Sequence, residues 1–331
     1  MQIETPSLGR RREAEAQLVR RFQSILYVTR GTTDDSDALT QALCLARSNA
    51  ASLHSVVVCP SLRKGLGNYE ADFETSLAER VRASIRNARA ALRTGPDEVH
   101  ATVEVECGKT PAVRIVRRIL RNAHDLLVKQ AEPTDRRVGF RALDMQLLRL
   151  CPCPVWLCRP MGRSRMDIRV AVAVNPQSVE PVGRDLALQL LRLARSFADM
   201  YSGELNIISC WEFEFEDDLR HSPWAKVAEA SISRSLITAE RDHRAALEKL
   251  TRESGIAGPV CVHHTRGRPE QAIPRLTDSL EVDILVMGTV ARTGIPGFVM
   301  GNTAENVLRE IRCSLLTLKP NGFVSPVRAY G

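Results

Sequence analysis

LRLCPCPVWLCRP, residues Leu148–Pro160, and LREIRCSLLTLKP, residues Leu308–Pro320, share one frame: Leu-Arg, three residues, Cys, one residue, a short apolar run, a basic residue and Pro. Upstream, Asp125-Leu-Leu-Val128 answers Asp283-Ile-Leu-Val286, and Gly108-Lys-Thr-Pro111 answers Gly267-Arg-Pro269. A repeat of about half of a 331-residue chain implies two duplicated domains and not a solenoid of short units. That length is also comfortable for two domains of ordinary size. The join falls near Met161–Arg165, a short polar stretch with Gly162, which sets the copies at 22–160 and 166–320.

Each copy alternates strand and helix patterns. In the first, strands are expected at Ser24–Thr29, Ser52–Val58, Ala101–Glu106, Asp125–Lys129 and Pro154–Cys158. Helices are expected at Asp35–Asn49, Tyr69–Leu92, Ala112–Asn122 and Leu143–Leu150, with Asp34 and Asp35 as N-cap candidates. In the second, strands fall near Arg169–Val174, Glu204–Cys210, Val260–His264, Asp283–Met287 and Ser314–Lys319. Helices fall near Val182–Tyr201, Val227–Ser254, Glu270–Ser279 and Thr303–Ile311. Five strands alternating with four helices require a parallel sheet with helices on both faces. Short, continuously apolar strands suit that burial. The fold class is therefore α/β: two tandem doubly wound five-stranded parallel-sheet domains, Rossmann-like.

Apolar residues make up 44% and charged residues 26% of the chain, ordinary globular usage. No apolar stretch reaches bilayer-spanning length. Arg10, Arg11, Arg12, Arg20 and Arg21 are followed by no apolar run of signal-peptide length. A cytoplasmic protein is expected, with its nine cysteines as reduced thiols, several of them core packers. Residues 1–165 hold 27 Lys+Arg against 18 Asp+Glu, whereas residues 166–331 hold 19 against 21. The basic half forms no single block and lacks interleaved aromatics, so it reads as a solvated face. Neither a specific nucleic-acid partner nor a membrane partner is expected.

In doubly wound folds ligands bind beyond the carboxyl ends of the strands, where the strand order reverses. The informative segment there is Gly288-Thr-Val-Ala-Arg-Thr-Gly-Ile-Pro-Gly-Phe-Val-Met-Gly301-Asn-Thr-Ala-Glu305. Gly288 ends a strand where the backbone turns or approaches a ligand, and Gly294 and Gly297 make the loop pliable. Asn302 or Thr303 can cap the following helix, whose first-turn N–H groups favour an anion. A phosphate cradle is one reading; a glycine-rich connection with an ordinary cap is the plainer one.

This segment resembles the signature of the universal stress protein family: Gly, two residues, Gly, nine residues, Gly, then Ser or Thr. The frame here is Gly288, Ala291, Gly301 and Asn302, with Ala291 at the second glycine and the hydroxyl displaced to Thr303. The Gly-Asn-Thr-Ala-Glu run, His124-Asp-Leu-Leu-Val-Lys129 and Leu147–Trp156 are similar to the tandem, UspE-type subgroup. The resemblance implies adenine nucleotide alpha hydrolase-like domains. Family members that bind ATP use an acidic residue ending the first strand, the glycine loop with its following hydroxyl, and the nearby Gly-x-Pro turn. Carried over, these give Val174, Asn175, Gly288, Thr289, Arg292, Gly301, Asn302 and Thr303 as nucleotide-binding residues. ATP with Mg²⁺ is the expected ligand. Asn175 can hydrogen-bond but carries no charge, and the methyl of Ala291 disfavours φ > 0, so the expected affinity is weak. In the first copy the first-strand position is about Arg30, and the loop becomes Gln130–Phe140 with only Gly139; no ATP site is expected there.

The function implied is a stress-response ligand-binding or regulatory factor. Its partners would be a small-molecule ligand and its own second domain as a pseudo-dimer, with homodimerisation left open. One alternative is a carrier or sensor of an apolar small molecule held between the domains by helices Tyr69–Leu92 and Val227–Ser254. Another is a slow ATPase, although neither a Ser-Gly-Gly-x-Asp-Ser loop nor a Gly-x-x-x-x-Gly-Lys-Ser/Thr motif occurs. Cys151, Cys153 and Cys158 lack the paired spacing of a zinc site and read as packing. Alternation puts Cys261 and His263 on one strand face and His264 on the other. Glu212, Glu214, Glu216, Asp217 and Asp218 form an acidic run near His221, read as a solvated loop. Leu8–Phe22 could form an amphipathic basic helix that meets a membrane or a partner, but reads rather as a frayed extension preceding the first strand. Trp156, Trp211 and Trp224 are too separated for a stacking platform. No catalytic residue and no metal site are assigned.

Overall fold

The structure, a computed structural model, describes residues 22–61, 67–134, 138–178, 180–213, 216–221, 227–289 and 300–330. Leu8–Arg21, Glu214, Trp224, Ala291, Arg292, Gly294 and Gly297 lie outside the described residues. The chain divides into two compact units. Of the described residues, the first unit holds those up to Ala131, Leu150–Pro160 and those from Val327 onward; the second holds Glu132–Arg149 and Met161–Pro326. The segment Glu132–Arg149, part of the first copy by sequence, thus packs within the second unit.

The first copy runs β1 (Ser24–Thr29), α1 (Ser36–Asn49), β2 (Ser52–Cys59), α2 (Glu70–Leu92), β3 (Ala101–Cys107), α3 (Pro111–Asn122), β4 (Leu126–Gln130), α4 (Ala142–Leu150) and β5 (Val155–Cys158). Its strand order is β3-β2-β1-β4-β5, and these neighbours pair in parallel. The second copy runs β6 (Val170–Ala173), α5 (Pro181–Met200), β7 (Leu205–Trp211), α6 (Glu216–His221), α7 (Glu229–Ser254), β8 (Val260–Arg266), α8 (Pro269–Ser279), β9 (Ile284–Gly288), α9 (Asn302–Glu310) and β10 (Ser314–Leu318). Its order is β10-β9-β6-β7-β8, again parallel. The two orders are the same once each copy's strands are numbered from its own start, as a duplication requires.

Burial follows strand position. β6 and β10 are buried at every residue, and β1, β4 and β9 at all but one. The outer strands β3 and β8 are half-buried. Helices cover both faces of the inner strands, so their runs are apolar without alternation. α1 ends at Ala50 and α2 at Arg93, both left-handed, whereas α7 ends at Gly255, the residue this conformation favours.

One cysteine pair departs from the reading of nine reduced thiols: Cys59 and Cys107, last in β2 and β3 and partners in register, form a disulfide. Among the described residues no group of three or more His, Cys, Asp or Glu side chains could hold a metal. Cys151 and Cys153 lie 3.4 Å apart at sulfur. Burial pushes the Cys158 thiol well up; at Cys153 the hydrogen bond with Cys151 is the largest cause of a like rise, with burial second. The two strand histidines point apart: His263 Nε2 meets Asn206 Oδ1 at 2.8 Å, while His264 Nε2 meets His243 Nδ1 at 2.9 Å. No described helix is long and apolar enough to cross a membrane.

His124 and His243 are buried, and burial is the main reason each is pushed down to about 4; the neighbouring His54 and His264 add to it. Both side chains are therefore held neutral by folding. Stability should be complete above about pH 6.5 and fall as pH drops from there toward about 4. Each histidine contributes about 1.4 kcal/mol per pH unit across that window. Urea unfolding at a series of pH values measures this slope. His243→Gln should lower the slope by about 1.4 kcal/mol per pH unit, and an unchanged slope would contradict the assignment.

Candidate functional site

The order reverses in the second unit where β6 lies beside β9. Ala173 pairs with Met287, so Val174 and Gly288 follow at the same level and open the crevice. Val174 is buried and its backbone is fully engaged: its N–H donates to Ile208 O at 3.1 Å, and its carbonyl accepts the Ser209 hydroxyl at 3.0 Å. Asn175 is exposed. Its Oδ1 accepts the Gln177 N–H at 3.0 Å, which leaves the Nδ2 amide to meet a ligand.

Gly288 is the last residue of β9, paired with Leu318, and makes no turn. A Cβ there would stand 3.0 Å from Leu186 Cδ2 and 3.7 Å from Leu190 Cδ1, both on α5. The glycine thus sits in close helix-on-sheet packing, where a larger side chain would press on α5, a reason the sequence does not display. Thr289 is 1% exposed, and its Oγ1 is buried without a hydrogen-bond partner among the described residues. The Thr289 carbonyl accepts the Gly301 N–H at 3.2 Å, which brings the start of α9 to the end of β9.

The expectation that Asn302 or Thr303 caps the helix is corrected. Gly301 is the N-cap, extended at φ −68° and ψ 144°, and no side chain caps the helix. Asn302 and Thr303 are its first two helical residues and exposed, and Ala304 is the third. Their N–H groups have no partner within the helix, and a glycine cap supplies no side-chain oxygen to occupy them. The arrangement can therefore receive an anion. Glu305, also in the first turn, would repel one. Its carboxylate meets Arg149 at 3.0 Å and Arg309 at 2.8 Å. Partial desolvation would raise its carboxyl, but the two guanidiniums outweigh that and hold it below the ordinary glutamate range.

In the first copy Arg30, which matches Asn175 in the repeat, is also exposed, but the end of β1 beside it is closed by the chain itself. Thr29, ending β1, donates its hydroxyl to Asp35 Oδ2 at 2.5 Å, and Thr33 donates to Asp35 Oδ1 at 2.9 Å. Aligning Leu148 with Leu308 sets Asp144 opposite Ala304. Asp144 is fully buried in the first turn of α4, and its Oδ2 accepts the Glu132 N–H at 2.8 Å. A built-in carboxylate thus stands at the helix start where the second copy has a methyl group. Asp144 is a site-determining residue that the sequence reading passes over.

An open cavity of about 720 Å³ lies at the other, amino-terminal end of the second unit's strands, lined in part by Arg163, Asp167, Arg169, Glu204 and Asn206. Arg163 and Arg169 are already paired with Glu281, at 2.7 and 2.9 Å, so this cavity offers no unopposed cation to an anion. The crevice beside α9 is the better candidate on chemistry.

Gly288→Val should drive two more methyl groups toward Leu186 and Leu190 and cost about 1–3 kcal/mol in unfolding free energy. Gly288→Ala, which asks only the flexible end of Leu186 to move, should cost less. Equal stability of both variants with the parent would contradict the packing role.

Comparison with known proteins agrees with this architecture. The universal stress protein family model matches residues 21–159 and 171–319. Universal stress protein E of Photorhabdus laumondii is 27% identical over 322 residues, covering 93% of this chain and 98% of the relative. Universal stress protein E of Escherichia coli K12 is 28% identical over 323 residues, covering 92% and 96%. Among solved structures, a universal stress protein from Archaeoglobus fulgidus superposes with a TM-score of 0.60 at 16% identity, covering 90% of this chain and 99% of the other. A Pseudomonas aeruginosa PAO1 protein described as functionally unknown superposes with a TM-score of 0.69 at 23% identity, covering 91% and 94%. Two matched copies in one chain, each a five-stranded Rossmann-like layer, place this chain in the universal stress protein family as a tandem, UspE-type member.

Proposed function

We infer that the second copy binds a phosphate-bearing nucleotide, MgATP being the natural case, and that the chain serves as a ligand-binding regulatory factor of the stress response. The observation that carries this reading is the uncapped start of α9, held against the end of β9 by the Gly301–Thr289 bond beside the buried Thr289 hydroxyl, which has no hydrogen-bond partner among the described residues. Helix N–H groups and dipole together favour a phosphate. The Nδ2 amide of Asn175 is suited to a sugar or base. Gly301, Asn302 and Thr303 would meet the phosphates, and the expected contact from Arg292 completes the set.

The chemistry of these residues favours holding over turnover. Asn175, Thr289, Asn302 and Thr303 are neutral, and Glu305 is engaged by two arginines, so none is a ready general base. Asn175 supplies no charge and Glu305 adds a negative one, which together argue for weak affinity. The first copy, with Asp144 already at its helix start, would not take an anion.

Calorimetric titration with ATP and Mg²⁺ tests the reading. One site per chain is expected, with Kd of about 0.1–1 mM, or about 4–5.5 kcal/mol. Ala304→Asp, which copies the first copy's carboxylate, should weaken binding at least about tenfold. The absence of heat at millimolar MgATP would overturn the proposal.

A further inference from the structure

We propose that Cys59 and Cys107 are a reversible dithiol–disulfide modification site at the carboxyl-end edge of the first unit's sheet. The two residues are the last register pair of β2 and β3, with Cα atoms 4.5 Å apart, and β3 is the outer strand of that unit's order. Neighbouring parallel strands thus present both sulfurs at one level, so closing the bond needs no rearrangement of the backbone. Cys59 is 5% exposed, whereas Cys107 is partly open to solvent. A small reagent can therefore reach Cys107 first, and the shielded Cys59 then resolves the mixed species.

The second unit carries an independent counterpart to this rung. Trp211 and Arg266 end β7 and β8 as their last register pair, with the Arg266 guanidinium 5.8 Å from the Trp211 ring centroid. In both units the next residue is a glycine at positive φ whose N–H extends the ladder to the neighbouring strand. Gly108 N–H donates to Cys59 O at 2.8 Å, and Gly267 N–H donates to Trp211 O at 2.9 Å. The duplicated architecture reinforces one rung twice, by a non-covalent cation–π contact in one copy and by a covalent bond that can be made and broken in the other.

Of the remaining thiols, Cys261 is half-exposed on β8, but its register partner on β7 is Asn206, so no thiol stands opposite it; the other six are shielded or held protonated. Cys44, Cys151, Cys158 and Cys313 are buried. Hydrogen bonding with Cys151 and burial raise the Cys153 thiol well above its ordinary range, and burial raises Cys210 to about 11, so both stay protonated and poorly nucleophilic.

With a low-molecular-weight disulfide such as oxidised glutathione, the Cys107 thiolate attacks one sulfur and releases one thiol, leaving a mixed disulfide. The Cys59 thiolate then attacks Cys107 Sγ and releases the second thiol. The protein gives up two electrons and two protons, which appear as two molecules of reduced thiol. In the oxidised form the ends of β2 and β3 are covalently tied beside the turn that leads into α3.

The test is thiol counting on the full chain, equilibrated in glutathione buffers from fully reduced to fully oxidised, alkylated and mapped by peptide mass spectrometry. Two thiols should disappear together, at Cys59 and Cys107, and return with dithiothreitol. Hydrogen exchange over residues 101–110 should be faster in the reduced form, with 260–268 unchanged. Cys107→Ser should abolish the paired loss, and Cys153→Ser should leave it intact. Nine alkylatable thiols in every buffer, a pair that maps to Cys151 and Cys153, or a bond that dithiothreitol does not open would each overturn the proposal.

Discussion

The parallel pairing of β6 with β9 is the constraint on which the second copy's chemistry rests. These two strands belong to halves wound in opposite senses, so the chain leaves their carboxyl ends in different directions. A crevice follows from topology before any side chain is chosen. The sequence then decides what stands in it. Val174 closes its backbone bonds inward, Asn175 stays exposed, and the Thr289–Gly301 bond returns the chain so that α9 begins at the rim.

The same scaffold, used twice, shows how little is needed to close such a site or leave it open. Asp144 and Ala304 occupy matching positions at a helix start; one is a buried acceptor already bonded to Glu132, the other a methyl group. Thr29, which matches Val174 in the repeat, hydrogen-bonds Asp35 at the end of β1, whereas Val174 accepts the Ser209 hydroxyl through its backbone. These substitutions alter no strand order. Divergence after duplication has therefore acted on hydrogen bonding at the strand ends, while the buried inner strands kept one pattern of continuous apolar burial.

Much of the fold is legible in the sequence because the inner strands are apolar runs bounded by helices of clear period. Ser24–Thr29 and Ser314–Leu318 are found where their composition places them, to within a residue. What the sequence conceals depends on partners distant along the chain. The Cys59–Cys107 bond needs the β2–β3 register, 48 residues apart. The His243–His264 contact needs α7 to lie against β8. Gly288 resembles a turn glycine, yet it lies under Leu186, where space for a larger side chain is short. At α9 the choice of cap turned on one residue: Asn302 and Thr303 have the better capping side chains, but the Gly301–Thr289 bond sets the helix start one residue earlier. The membership of Glu132–Arg149 in the second unit has no local signal, because its helix pattern is the same whichever sheet receives it.

The central claim is that an anion belongs at the first turn of α9 and is excluded from the first turn of α4. Amide chemical shifts of the isotopically labelled full chain, followed during titration with MgATP, test this position by position. The account predicts saturable shifts at Asn302, Thr303 and Ala304, with Leu143, Asp144 and Met145 unmoved. Shifts at the α4 residues, or none at α9 while others move, would contradict it.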